Sequence, residues 1–126
     1  MSERKRRVVL IADDEPNNRL LVHATIKLEH FVLLEASNGE EAWSIIQRYH
    51  PSLVLLDVQM PPPDGLEILR RIRSDPDLAK TRVILLTAHS RQRDIDAGLA
   101  AGADIYLTKP FSPLELLASI EMVFGL

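Results

Sequence analysis

The chain has 126 residues, 46% hydrophobic and 26% charged, with a formal net charge of −3 from 15 basic and 18 acidic side chains. That length suits one domain over residues 1–126 with its own core, and so mild a charge gives no ground for direct nucleic-acid binding or for attachment to a membrane. The absence of cysteine excludes disulfides, thiolate metal centres and a thiol nucleophile. No apolar run is long enough for a secretory core or a membrane span, so the cytoplasm is the expected compartment. The basic run Arg4, Lys5, Arg6, Arg7 reads as a solvated leader, residues 1–7, rather than as an anionic-surface patch.

Apolar runs alternate with segments of helical period, the pattern of an α/β domain with a parallel sheet. The first strand, Val8 to Ala12, runs into Asp13-Asp14-Glu15. Pro16 suits the first position of a helix reaching to about Glu29, with Leu20, Leu21, Ala24 and Leu28 as its inward stripe. Strand two is Phe31 to Ala36. Asn38 and Glu41 stand at capping spacing for a second helix that buries Ala42, Ile45, Ile46 and Tyr49 and stops before Pro51. The third strand, Leu53 to Leu56, ends on Asp57. Asp64 caps a third helix, whose Ile68, Leu69 and Ile72 face inward. Strand four, Val83 to Leu86, ends on Thr87. A fourth helix, from about Arg91 to Ala101, is weak in apolar content, contains Gly98 and is closed by Gly102. Strand five, from about Asp104 to Leu107, leads to Lys109-Pro110, and Ser112-Pro113 opens a last helix with the stripe Leu114, Leu117, Ile120.

Five strands and five helices in alternation, joined by right-handed crossovers, leave few topologies. The flavodoxin-like doubly wound (βα)5 sheet, in strand order 2-1-3-4-5, puts Asp13, Asp14 and Asp57 side by side at the switch-point crevice. Three carboxylates in a partly buried pocket repel one another unless a cation enters. Oxygen-only ligands with room for water suit Mg²⁺, with Mn²⁺ as the alternative, rather than zinc or copper. Lys109 leaves the fifth strand on the same edge and can hold phosphate oxygens, and the Thr87 hydroxyl can donate to one. Asp57, alone and central on its strand end, is the expected nucleophile, forming an aspartyl phosphate. Gln59 and His89 lie two residues beyond Asp57 and Thr87, where they would border the water approach to an acyl phosphate and set its lifetime.

The set Asp13-Asp14-Glu15-Pro16, Asp57 through Pro61-Pro62-Pro63 to Asp64-Gly65, Thr87-Ala88 and Lys109-Pro110-Phe111 resembles the receiver domain of two-component response regulators over nearly the whole chain. The resemblance implies that Asp57 accepts a phosphoryl group from a sensor histidine kinase or a phosphotransfer protein. It implies Mg²⁺ held by Asp14, Asp57 and the Gln59 main-chain carbonyl, with Asp13 acting through water. Thr87 and Lys109 would contact the phosphoryl group, Tyr106 would be the switch aromatic, and the Lys109–Pro110 bond would be cis. The surface of the fourth helix, fifth strand and fifth helix would be the output face, serving an effector or output domain. Such a domain modifies itself rather than turning over a substrate, as a monomer or as a phosphorylation-dependent dimer. Two departures stand out: the extra prolines at 61–63, and a last helix without lysine or arginine, unlike the charged dimer face of winged-helix regulators.

Two other classes compete. A Mg²⁺-dependent phosphatase of haloacid-dehalogenase type wants Asp-x-Asp on the first strand. A flavodoxin wants a Ser/Thr-rich phosphate loop where this chain has acids. The end at Leu126, just after the last helix, fits either a single-domain regulator or the receiver part of a longer one.

Overall fold

A computed structural model describes residues 6–125. The elements are β1 (Arg7–Ala12), α1 (Pro16–Thr25), β2 (Phe31–Ala36), α2 (Gly39–Tyr49), β3 (Leu53–Asp57), α3 (Gly65–Ser74), a 3-10 turn (Pro76–Leu78), β4 (Arg82–Thr87), α4 (Gln92–Ala100), β5 (Ile105–Thr108) and α5 (Pro113–Phe124). The strands form one parallel sheet in the order β2-β1-β3-β4-β5, the expected flavodoxin-like arrangement. No helix among the described residues is long and apolar enough to cross a membrane. Residues 1–5 of the expected leader lie outside the described part, and Arg7 is already a strand residue, in register with Phe31.

Both faces of the sheet are covered, which is why β1, β3 and β4 read as unbroken apolar runs. Alternation along each strand divides the core in two. Leu10, Ala12, Val54, Leu56, Val83 and Leu85 pack with Ile46 of α2 and with Ile68, Leu69 and Ile72 of α3. Val9, Ile11, Leu53, Leu55, Ile84 and Leu86 pack with Val22 of α1 and with Leu116 and Ile120 of α5. The same alternation sends Asp57 to the α1/α5 side of the sheet and Thr87 to the other side, where Tyr106 also packs.

Helix starts follow their caps. Asn38 accepts from the Glu41 amide at 2.8 Å and Asp64 from the Glu67 amide at 2.9 Å, while Ser112 and Glu115 form a reciprocal box. Glu41 reaches back to the Ser37 amide at 2.7 Å, one residue short of a box with Asn38.

Three inward stripes differ from expectation. In α1, Val22 and Ile26 are buried and Leu21 is half-buried, whereas Leu20 (67% exposed), Ala24 and Leu28 face outward. The helix stops at Thr25 because Ile26 turns extended, and a short turn at Lys27–His30 leads into β2. Leu20-Leu21-Val22 is apolar at three consecutive positions, so the pattern left the rotational phase open by one or two steps of about 100°. In α5, Leu116, Ser119 and Ile120 are buried, Leu117 is half-buried and Leu114 is exposed, again in an almost wholly apolar helix. Tyr49 is exposed beneath Arg48, and Trp43 takes the half-buried place instead, with Arg71 over its ring at 5.6 Å.

Two glycines permit close approaches that hold the loop after β3. A Cβ on Gly39 would overlap the Pro63 carbonyl oxygen, and one on Gly65 would overlap the Asp57 carbonyl oxygen. Alanine favours a helix over glycine by about 1 kcal/mol, so a gain would be expected from propensity alone. Here the clash with backbone should dominate: Gly39→Ala should lower stability by about 1–3 kcal/mol, read as a lower urea midpoint with an unchanged slope.

Candidate functional site: an acidic crevice closed by a lysine

The parallel register brings the ends of β1, β3, β4 and β5 to one edge, and the side chains that leave them converge. Asp13, Asp14 and Asp57 offer oxygens that all lie within 4.8 Å of one another. Asp13 and Asp57 are buried, at 0% and 3% exposure, and Asp14 opens to solvent. The Lys109 ammonium bridges the buried pair, 2.9 Å from Asp13 Oδ2 and 3.1 Å from Asp57 Oδ2. The second oxygen of each carboxylate accepts a local amide: Glu15 N–H donates to Asp13 at 2.9 Å and Gln59 N–H to Asp57 at 3.1 Å. Asp13 Oδ2 has no hydrogen-bond donor of good geometry among the described residues, so its contact with Lys109 is ionic.

Lys109 is aimed by its own chain. Its amide donates to the Thr87 carbonyl at 2.7 Å, the Lys109–Pro110 peptide is cis, and the next residue, Phe111, is buried in the α1/α5 layer. Thr87 is fully buried, and its hydroxyl oxygen accepts the His89 amide at 3.1 Å. His89 is a junction. Its ring Nε2 lies 2.8 Å from Gln59 Nε2, and its carbonyl accepts the Tyr106 hydroxyl at 2.8 Å. Tyr106 is half-buried, and its ring lies against α4 where Gly98 has no side chain: a Cβ there would stand 2.8 Å from the ring. Beside the carboxylates, a cavity of about 640 Å³ opens between Asp14, Gln59, Met60, Asp64 and His89.

The structure thus gathers all of Asp13, Asp14, Asp57, Thr87 and Lys109 at one edge, with Gln59 and His89 at the rim and Tyr106 behind Thr87. Sequence reasoning missed Arg19. From α1 it donates to the Asp13 carbonyl at 2.6 Å and pairs with Glu35 of β2 at 3.4 Å, pinning the acidic turn from behind. Its i+6 spacing from Asp13 was the available signal, since that places it on the second turn of a helix that starts at Pro16. The cis peptide between Pro62 and Pro63 also went unforeseen.

Three oxygen donors this close, two of them desolvated, fit a hard divalent cation with open positions. Without one, the charges are badly balanced. Burial, then the neighbouring Asp13, raise the Asp57 carboxyl from 3.8 to about 6 against the pull of Lys109. Burial alone would lower the Lys109 ammonium, but Asp13 and Asp57 outweigh it and hold it above its ordinary value.

A carboxyl raised on folding binds its proton more tightly in the native state, so its ionisation opposes folding. The penalty is absent below about pH 4, grows between the unfolded value of 3.8 and the folded value of about 6, and is full above that. In chelator, Asp57→Asn should therefore be more stable than the parent at pH 8, by on the order of 2 kcal/mol. The gap should close toward pH 4 in urea titrations across that range.

The family model of the response regulator receiver domain matches residues 9–121. Response regulator GtcR of Aneurinibacillus migulanus is 37% identical over 115 residues, 91% of this chain and 46% of its own length. The chain spans about half the length of such curated relatives. Chemotaxis response regulator CheY4 of Vibrio cholerae superposes with a TM-score of 0.87 at 28% identity, covering 94% of this chain and 99% of that one. A chain of the CheX-CheY-BeF3-Mg+2 complex of Borrelia burgdorferi superposes with a TM-score of 0.85 at 27% identity, over 94% and 89% of the two chains. Nothing among these supports the phosphatase alternative. With a family match over almost the whole sheet and its crevice, the chain belongs to the response regulator receiver domains of two-component signalling.

Proposed function

We propose that Asp57 is the phosphoacceptor of this receiver domain and that the acidic crevice binds Mg²⁺ for the transfer. The observation that carries the reading is the Lys109 ammonium set between Asp13 and Asp57, at 2.9 and 3.1 Å, on a carboxylate pair buried in the crevice. Asp14, Asp57 and the Gln59 carbonyl would hold the cation, with Asp13 acting through water. The acidic cluster supports this, and so does the Mg²⁺ named for the Borrelia complex. When bound, Mg²⁺ supplies charge neutralisation for the phosphoryl oxygens as well as for the acids.

The residues divide the work. Asp57 Oδ2 attacks phosphorus, the phosphorus–nitrogen bond to a donor imidazole breaks, and the imidazole leaves with the bonding pair and takes up a proton. Lys109, already in contact with Asp57, can follow the phosphoryl oxygens without leaving the crevice. The Thr87 hydroxyl oxygen accepts from His89, and its rotatable proton can be turned to a phosphoryl oxygen. The open cavity beside Asp14 and His89 leaves room for a donor imidazole to approach. The donor is a histidine kinase or a phosphotransfer protein, the partners with which receiver domains interact; the effector is a protein or output domain that reads the α4, β5 and α5 face. Burial raises the Tyr106 phenol, so it remains a hydrogen-bond donor at neutral pH and can report the position of the His89 loop to that face.

Incubation with acetyl phosphate and Mg²⁺ should add one phosphoryl mass to the parent chain and none to Asp57→Asn. An adduct at parental level on that variant would remove the assignment. Lys109→Ala should slow the transfer more than about tenfold, the usual effect of losing one charge-stabilising group, while keeping Mg²⁺ binding. Unchanged kinetics would deny Lys109 its role.

Gln59 and His89, joined at 2.8 Å across the mouth, should restrict water at the acyl phosphate. Gln59→Ala and His89→Ala should each change the dephosphorylation rate several-fold, followed by loss of the phosphoryl mass after donor removal. Rates within about twofold of the parent for both would leave them as ordinary rim residues.

A further inference from the structure

The end of the sheet opposite the crevice carries a cavity of about 410 Å³ that the phosphoryl-transfer reading does not use. It lies among the start of β1, the α2–β3 turn, the segment ahead of β4 and the end of α5. Three permanent cations line it, Arg7, Lys80 and Arg82, with the imidazole of His50, against one carboxylate, Asp77. On a chain of net charge −3 this is a local excess of basic side chains, at the end of the strands opposite the acidic crevice.

These cations are positioned but not consumed by the fold. The Arg7 guanidinium carbon stands over the Phe124 ring at 4.3 Å, and Arg7 makes no ion pair among the described residues, so its N–H groups can meet an oxyanion. Arg82 shares Asp104 with Arg73, at 3.5 and 3.0 Å, so a single carboxylate answers two guanidiniums. Lys80 is exposed and makes no ion pair among the described residues. His50 is fixed at φ 44 where α2 ends.

Basic residues near the ends of α2 and α5 could serve only to offset the helix dipoles. Of the cations lining the cavity, however, only Arg7 lies at one of those helix ends, over Phe124 of α5, whereas Lys80 and Arg82 belong to the segment ahead of β4 and to its start. Lys80 and Arg82 are therefore not placed to offset those dipoles.

We propose that this cavity is a second anion site, for a linear oligophosphate, either inorganic or as the phosphate tail of a nucleotide. Its size falls in the range of small-molecule sites, about 300–1,000 Å³, and is too large for one phosphate to meet cations placed on separate segments. A chain of phosphates can meet a guanidinium fork and an ammonium at once. Phe124 already stacks on Phe31, with centroids 5.8 Å apart, and carries Arg7 on its ring, so no aromatic face is left for a nucleobase. Recognition is by charge along the phosphate chain.

The test is a titration of the ¹⁵N-labelled chain with sodium tripolyphosphate in EDTA, which keeps metal out of the crevice. Saturable shifts are expected at the amides of Ser52, Lys80, Thr81 and Arg82, with Asp57 and Gln59 unmoved. Lys80→Glu should weaken binding about tenfold or more and Arg7→Gln several-fold, as for charges facing a polyanion. Lys80→Glu should still take up phosphate from acetyl phosphate at the parental rate, which shows an intact fold. ATP and tripolyphosphate should bind within about threefold of each other. Shifts centred on the acidic crevice, non-saturable shifts, or affinity unchanged in both charge variants would overturn the site. A nucleotide bound far more tightly than tripolyphosphate would overturn its assignment to the phosphate chain.

Discussion

One ion triad governs the crevice: Lys109 between two buried carboxylates. Asp13 and Asp57 come from strands that are neighbours only because the chain crosses over at the switch point, and Lys109 comes from a strand two places further along. Two desolvated acids this close are tolerable only with a compensating positive charge, and the ammonium supplies it. The compensation is partial, as the upward pull on Asp57 shows. On the proposed reading, a site left short of positive charge favours a divalent cation, and an acid whose anion is ill-solvated gains from carrying a phosphoryl group whose charge is met by fixed cations. The charge imbalance of the crevice and the chemistry proposed for it have the same origin.

The backbone holds that triad by close approach rather than by many side-chain bonds. Gly65 sits on the Asp57 carbonyl, Gly39 on the Pro63 carbonyl, and Arg19 on the Asp13 carbonyl. Each contact leaves the functional carboxylate free and fixes the main chain behind it. The three prolines at 61–63 act in the same direction, since a restricted backbone loses less entropy when it is packed against α2. The loop that follows Asp57 is thus anchored to α2 and α3, although it lies at the exposed edge of the sheet.

What the sequence disclosed follows from how each contact is encoded. The strand ends were legible because a buried parallel strand is apolar on both faces, so the first polar residue after it marks the crevice; Asp13, Asp57 and Thr87 all stand at such breaks. Caps were legible because Asn38, Asp64 and Ser112 act on amides three residues away. The phases of α1 and α5 were not, because Leu20-Leu21-Val22 and Leu114 to Val123 offer apolar side chains on more than one face, and only packing on the sheet decides between them. Gly39 on Pro63 joins residues that no local rule connects, so it became visible only once the sheet had placed their elements, as did the direct contact between Gln59 and His89, which the sequence had placed only at the same rim; Arg19 was signalled by nothing but its spacing from Asp13.

The geometry around His89 links the crevice to the opposite layer of the sheet. Its amide binds the Thr87 hydroxyl oxygen, its carbonyl takes the Tyr106 hydroxyl, and its ring meets Gln59. The Thr87 hydroxyl also lies within reach of the Tyr106 phenol, so its rotatable proton can turn between that phenol and a new oxygen in the crevice. Any movement of Thr87 toward that oxygen draws on the His89 amide and so on the carbonyl that holds Tyr106. Tyr106 in turn lies against Gly98, in a helix with one fully buried residue, the glycine itself. A helix anchored so lightly responds to a small force, whereas α3, with Ile68, Leu69 and Ile72 all buried, does not. On the proposed reading, the asymmetry between the two helices directs a shift at the crevice toward α4 and β5.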